Sequence, residues 1–170
     1  MILLSYDGSD DAKAAADRAA RLMPGTETIV LTVWEPLLDT MLRTGFGLGM
    51  GVVGVPFDTT EFDEGTRTTA DTTAAEGAER ATAAGLKASP RAVASEGGIA
   101  TTILAVAAET GADAVVMGTR GLAGVKSMLL GSISHAVLQH ADRSVLIVPS
   151  PSVAEHRRSG IHRPGDESEK

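Results

Sequence analysis

The sequence predicts a doubly wound α/β sandwich, a five-stranded parallel sheet with helices on both faces. Two observations carry this reading. Five short apolar, β-branched runs alternate with four stretches of helical periodicity, the signature of a parallel sheet covered on both sides. The chain, at 170 residues, suits one well-buried domain and is short for two.

The first run, "MILLSY", leads into "DGSDD", a turn and helix start. Ser9 is placed to cap that helix, and Asp10 and Asp11 complement its positive end. Ala12, Ala15, Ala16, Ala19, Ala20 and Met23 form its apolar stripe, stopped by "PG" at 24–25. "ETIVLTVW" (27–34) is the second strand. Residues 36–60 show no clear period and read as a glycine-rich insertion. A long helix is expected over 59–85, with Thr60 and Asp63 resembling a capping box and Ala70, Ala74, Ala78 and Ala81 packing on the sheet. Residues 86–94 form a weaker strand whose Pro90 suits a sheet edge. A helix over 97–111 presents Ile99, Ile103, Val106 and Ala107 on one face, and "ADAVVMG" (112–118) is a deeply buried strand. The helix at 132–141 and the strand "SVLIVP" (144–149) complete the domain, 1–149. Residues 150–170 turn polar and charged and are expected to lack order.

Composition removes several function classes. No apolar run approaches the roughly 18 residues of a membrane span. The N-terminus has no basic region and meets an acid at position 7, so it does not read as a secretory signal, and a cytoplasmic location is expected. The absence of cysteine excludes disulfides, thiolate nucleophiles and thiolate metal sites. A formal charge of −7 and 3% aromatic residues argue against nucleic acid as a partner. His135 and His140 are five apart, about 140° around a helix, and do not share a metal-binding face.

Two glycine-rich stretches compete for attention. "GMGVVG" (49–54) spells a dinucleotide fingerprint, but no strand leads into it and Pro56 interrupts any helix after it. It reads as part of the insertion, either a lid near the ligand edge or a disordered loop. The required context stands instead at "VVMGTRGLAGVKSMLLGSIS" (115–134). Here Gly118 ends a strand, Gly121 follows, and Gly131-Ser132 open a helix. Glycines let backbone N–H groups approach an anion, and the helix start adds its positive end. Arg120 and Lys126 are either phosphate contacts or solvated charges.

Gly118-x2-Gly121-x9-Gly131-Ser132 resembles the ATP-binding signature of the universal stress protein family. "ILLSYDGSDDAKAA" and "SVLIVP" are similar to its first and last strands, so the likeness spans about residues 1–149. The resemblance implies sheet order 3-2-1-4-5, with the ligand at the switch point between strands 1 and 4. It implies ATP as cofactor, with Mg2+ as its companion ion. Asp7 would lie on the adenosine side, Val33 against adenine, and Met117 and Gly118 along base and ribose. Gly121, Gly131, Ser132, Ile133 and Ser134 would hold the phosphates. Ser5 and Tyr6 stand where the family often carries an apolar residue or proline. The last strand, an apolar edge, implies a homodimer.

The expected function is an ATP-binding regulatory stress-response protein with an adenine nucleotide and a further protein as partners. No nucleophile–base pair is visible and the Walker lysine is absent, so little or no hydrolysis is expected. A slow ATPase and a nucleotide-independent dimeric scaffold are the alternatives. A phosphoacceptor receiver domain would need an aspartate ending strand 3 and a lysine ending strand 5, where this chain has "VASEG" and "IVPSP".

Overall fold

The computed structural model describes residues 1–43, 58–121 and 130–160. Strands β1 (Ile2–Ser5), β2 (Glu27–Trp34), β3 (Lys87–Ala94), β4 (Ala114–Gly118) and β5 (Ser144–Val148) form one parallel sheet in the order β3-β2-β1-β4-β5. Around it lie α1 (Asp10–Leu22), α2 (Leu37–Arg43), α3 (Thr60–Ala83), α4 (Ile99–Glu109), α5 (Ser132–His140) and α6 (Pro151–Gly160). The expected fold class is therefore the observed one. Pro90 does sit on an edge strand, paired to Val30 of β2.

Strand alternation sends successive side chains to opposite faces, and the two faces are filled differently. Ile2, Leu4, Tyr6, Val30, Val116 and Val148 pack under α1 and α3, which supply alanines 12, 15, 16, 19, 20, 78 and 81. Leu3, Leu31, Val115 and Met117 pack under α4 and α5, which supply Ile103, Val106, Ala107 and Val137. On the first face α3 comes so close that a Cβ on Gly77 would stand 2.7 Å from the Tyr6 ring and 2.8 Å from Val30 Cγ1. Arg80 of α3 grips Asp17 of α1 through two hydrogen bonds of 3.0 and 2.7 Å. Such an exposed pair adds little stability, but it sets helix register.

Helix ends follow local chemistry. Ser9 caps α1, its Oγ accepting the Ala12 N–H at 3.2 Å, with Asp10 and Asp11 in the first turn. At the other face Arg143 donates to the Ala107 and Ala112 carbonyls at 2.6 and 2.7 Å, covering the end of α4.

Three expectations need correction. The insertion at 36–60 opens with a helix, α2, whose first N–H (Leu37) is taken by Asp63 Oδ1 at 2.8 Å. That carboxylate is thereby engaged across 26 residues, a link that local periodicity does not reveal. "GMGVVG" lies outside the described residues. The capping box does not form on Thr60; Thr59 stands at the cap position and its hydroxyl donates to Asp63 Oδ2 at 2.7 Å. Finally, the chain beyond 150 begins as α6, where Pro151 occupies the favoured first helical position and the Ala154 N–H reaches the Ser150 carbonyl at 2.9 Å.

Candidate functional site

Gly8, at φ +79°, turns the chain from β1 into α1, a left-handed conformation that favours glycine. α1 then runs under one face of the sheet, whereas α5, following β4, packs on the other. The gap between β1 and β4 is the switch point of the sheet, and a crevice of about 130 Å3 opens there. Val33, Met117, Ile99 and Ile133 make its apolar wall; Asp7, Arg120 and Ser134 contribute its polar groups.

Seven of the nine expected site residues line this crevice: Asp7, Val33, Met117, Gly118, Gly121, Ile133 and Ser134. Asp7 Oδ1 accepts the Ser9 N–H at 3.1 Å, and a Cβ on Gly121 would lie 2.6 Å from Asp7 Oδ2. Gly118 is demanded by packing: its added Cβ would meet the Asp11 backbone carbon at 2.8 Å and the Ala12 nitrogen at 3.1 Å. The other two residues, Gly131 and Ser132, stand beside the crevice. The Gly131 N–H donates to the Thr119 carbonyl at 2.7 Å, and Ser132 is exposed at the start of α5. Ser134 donates toward the Gly118 and Thr119 carbonyls, at 3.0 and 3.2 Å. The two glycine segments are thus stitched together through Thr119. Lys126 lies outside the described residues.

Arg120 lines the crevice with its side chain only 16% exposed, its Nε 3.7 Å from Asp11 Oδ2. Asp11 itself is buried and accepts the Thr119 hydroxyl, with Ser150 close by. Burial alone would raise the Asp11 carboxyl, but the nearby Ser150, the Thr119 hydrogen bond and the Arg120 charge outweigh it and hold the group below its ordinary range. Reading Asp11 only as a helix-dipole partner misses this. One signal was available, since position 11 shares the stripe of Ala15 and Ala19 at helical spacing. At the β1 end, the buried Tyr6 hydroxyl donates to Glu76 Oε1 at 3.1 Å. Burial first, then the Glu76 hydrogen bond and charge, push this phenol up to about 12.

Fold and crevice together define a doubly wound α/β protein with a crevice at the strand-order reversal. The chain belongs to the universal stress protein family, whose model matches residues 1–149. No curated protein matches the chain. Among solved structures it is similar to the hypothetical protein MJ0577, at 22% identity over 87% of this chain and 94% of that one, with a TM-score of 0.67. A universal stress protein in complex with cAMP is 24% identical over 88% of this chain and 95% of that one, TM-score 0.57. The universal stress protein from Archaeoglobus fulgidus in complex with dAMP is 19% identical over 86% and 95%, TM-score 0.54.

Proposed function

We propose that this chain is an adenine-nucleotide-binding regulatory protein of the stress response, that ATP is its ligand, and that it turns ATP over slowly or not at all. The observation that carries the reading is the joining of the 118–121 and 131–134 segments at the mouth of an apolar crevice. Universal stress proteins of the same fold in complex with cAMP and with dAMP support the adenine half of it. The crevice is smaller than the roughly 300–1,000 Å3 of whole-ligand pockets. It suits adenosine, against Val33, Met117 and Asp7, with phosphates outside it toward Gly121, Arg120 and the start of α5. Among the described residues no three acidic or histidine side chains gather to hold a metal, so Mg2+ would arrive on the phosphates.

Magnitudes allow this. Hydrogen bonds to charged groups contribute about 1.5–3 kcal/mol each, and four or five of them with adenine burial offset an association cost of about 4–15 kcal/mol. Affinity near micromolar, about −8 kcal/mol, lies within what these ranges permit. We expect ATP to raise the unfolding temperature, since a ligand of the native state alone stabilises it. Gly121→Val places a side chain at the crevice lip and abolishes that protection while the chain remains folded. Calorimetric titration of the wild type that shows no heat, with no displacement of a labelled ATP analogue, refutes the reading.

The scaffold alternative shares one element with it, a homodimer built on β5. Among the described residues that strand is a sheet edge, paired to β4. A monomer by light scattering at micromolar concentration overturns the dimer without touching nucleotide binding.

A further inference from the structure

We infer that Ser5 sets the base preference of the crevice: its hydroxyl hydrogen-bonds the edge of a purine farthest from the sugar, an edge that a pyrimidine does not bring within reach. This rests on the nucleotide-binding reading above. Ser5 ends β1 and lines the crevice. Strand alternation puts it on the face of Leu3, under α4 and α5, while Leu4 turns to the opposite face. It pairs with Leu31 of β2 and, one step past the Leu4–Val116 pair, lies level with Met117 of β4. Leu31, Met117, Val33, Ile99 and Ile133 all belong to that apolar face. The Ser5 hydroxyl is thus a polar group set into an apolar wall. It is half-buried, and among the described residues no hydrogen bond is made to it. The other hydroxyl in the crevice, on Ser134, is already spent on the Gly118 and Thr119 carbonyls.

What this hydroxyl needs selects the ligand. Solvent serves it while the crevice is open. A ligand that fills the crevice displaces that solvent, and a covered hydroxyl left unpaired costs free energy. The occupant must therefore bring a polar atom to Ser5 as well as an apolar ring to the wall. The direction of the nucleotide decides which atom that is. With the phosphates toward Gly121, Arg120 and the start of α5, the sugar lies near Asp7, two residues beyond Ser5, and the base points inward along β1. The edge that meets Ser5 is the one opposite the sugar, where adenine carries a ring nitrogen beside its amino group. A serine hydroxyl both donates and accepts, so either atom satisfies it. A pyrimidine is shorter by a fused ring; it covers the wall and leaves the hydroxyl without a partner.

The test compares the full-length wild type with Ser5→Ala. ATP is titrated by calorimetry, the CTP dissociation constant is obtained by competition with a labelled ATP analogue, and the free proteins are unfolded in urea. Losing one neutral hydrogen bond should raise the dissociation constant for ATP about three- to ten-fold. The constant for CTP should not rise, so the preference for purine narrows by the same factor. The urea midpoint of the free protein should stay where it is, because solvent serves the hydroxyl before the ligand arrives. Wild-type ATP affinity in Ser5→Ala overturns the contact and leaves nucleotide binding standing. A CTP constant that rises in step with that for ATP also overturns it, and so does weaker ATP binding accompanied by a lower urea midpoint, which marks a structural role. A wild type that binds no ATP overturns the nucleotide reading and this contact with it.

Discussion

The two faces of the sheet achieve burial by different means. Under α4 and α5 the core is made of Ile103, Val106, Leu3, Leu31 and Val115, branched side chains that keep helix and sheet apart. Under α1 and α3 it is made of alanines against Tyr6, Leu4 and Val30, and backbones approach until Gly77 and Gly118 have no room for a Cβ. The first arrangement maximises apolar area. The second trades area for closeness, and closeness is what brings the first turn of α1, with Asp11, against the end of β4 where the crevice opens. Both faces reach the site: the close one brings Asp11 to the end of β4, and the branched one supplies the crevice wall of Val33, Met117, Ile99 and Ile133.

The largest effect should come from the branched face. Ile103 is fully buried, and Ile103→Ala should cost about 2–5 kcal/mol through lost transfer energy and the cavity left behind. Urea unfolding measures it, and crevice affinity should change little. On the close face, additions should do the damage: Gly77→Ala and Gly118→Ala should each cost about 1–3 kcal/mol by overpacking. For Gly77 that loss is set against a gain of up to about 1 kcal/mol in helix propensity. A neutral or stabilised Gly118→Ala would break the contrast between the faces. Only this variant of the three should also weaken ATP binding.

The smallest effect sharpens the picture at Tyr6. The chain holds one tyrosine, so its phenolate absorbance reports this site alone. The folded-state value, pushed up to about 12 from 10.0, means that the native state keeps a proton the unfolded chain releases. Stability from this group is therefore full below pH 10 and falls as pH rises toward 12. The loss reaches about 1.4 kcal/mol by pH 11. Tyr6→Phe should remove that slope, and a tyrosine titrating near 10 in the folded protein would refute it.

Much of this was legible in the residues because it is local or periodic. The alternation of elements, the Ser9 cap, the alanine stripe at 70, 74, 78 and 81, and the glycine spacing from 118 to 132 are all such signals. What escaped depends on long-range meetings. Asp63 looked like a capping-box partner and serves two helices; Asp11 looked like a helix-dipole partner and meets Thr119, 108 residues away. α6 has no apolar period in the sequence that would announce it. At Gly118 the sequence suggested room for an anion, and the structure adds a packing demand from Asp11 and Ala12.

The place of β1 in the sheet order has a consequence for biosynthesis. This strand leads the chain yet ends at the centre, paired to β2 at once and to β4 only when Ala114–Gly118 has been made. At roughly 5–20 residues per second of translation, its second edge waits on the order of ten seconds for a neighbour. During that interval β1, β2 and β3 can assemble with α1 and α3 while Leu3 and Leu4 present an open rim. Nascent chains of this protein should therefore be most dependent on chaperone cover before β4 leaves the ribosome.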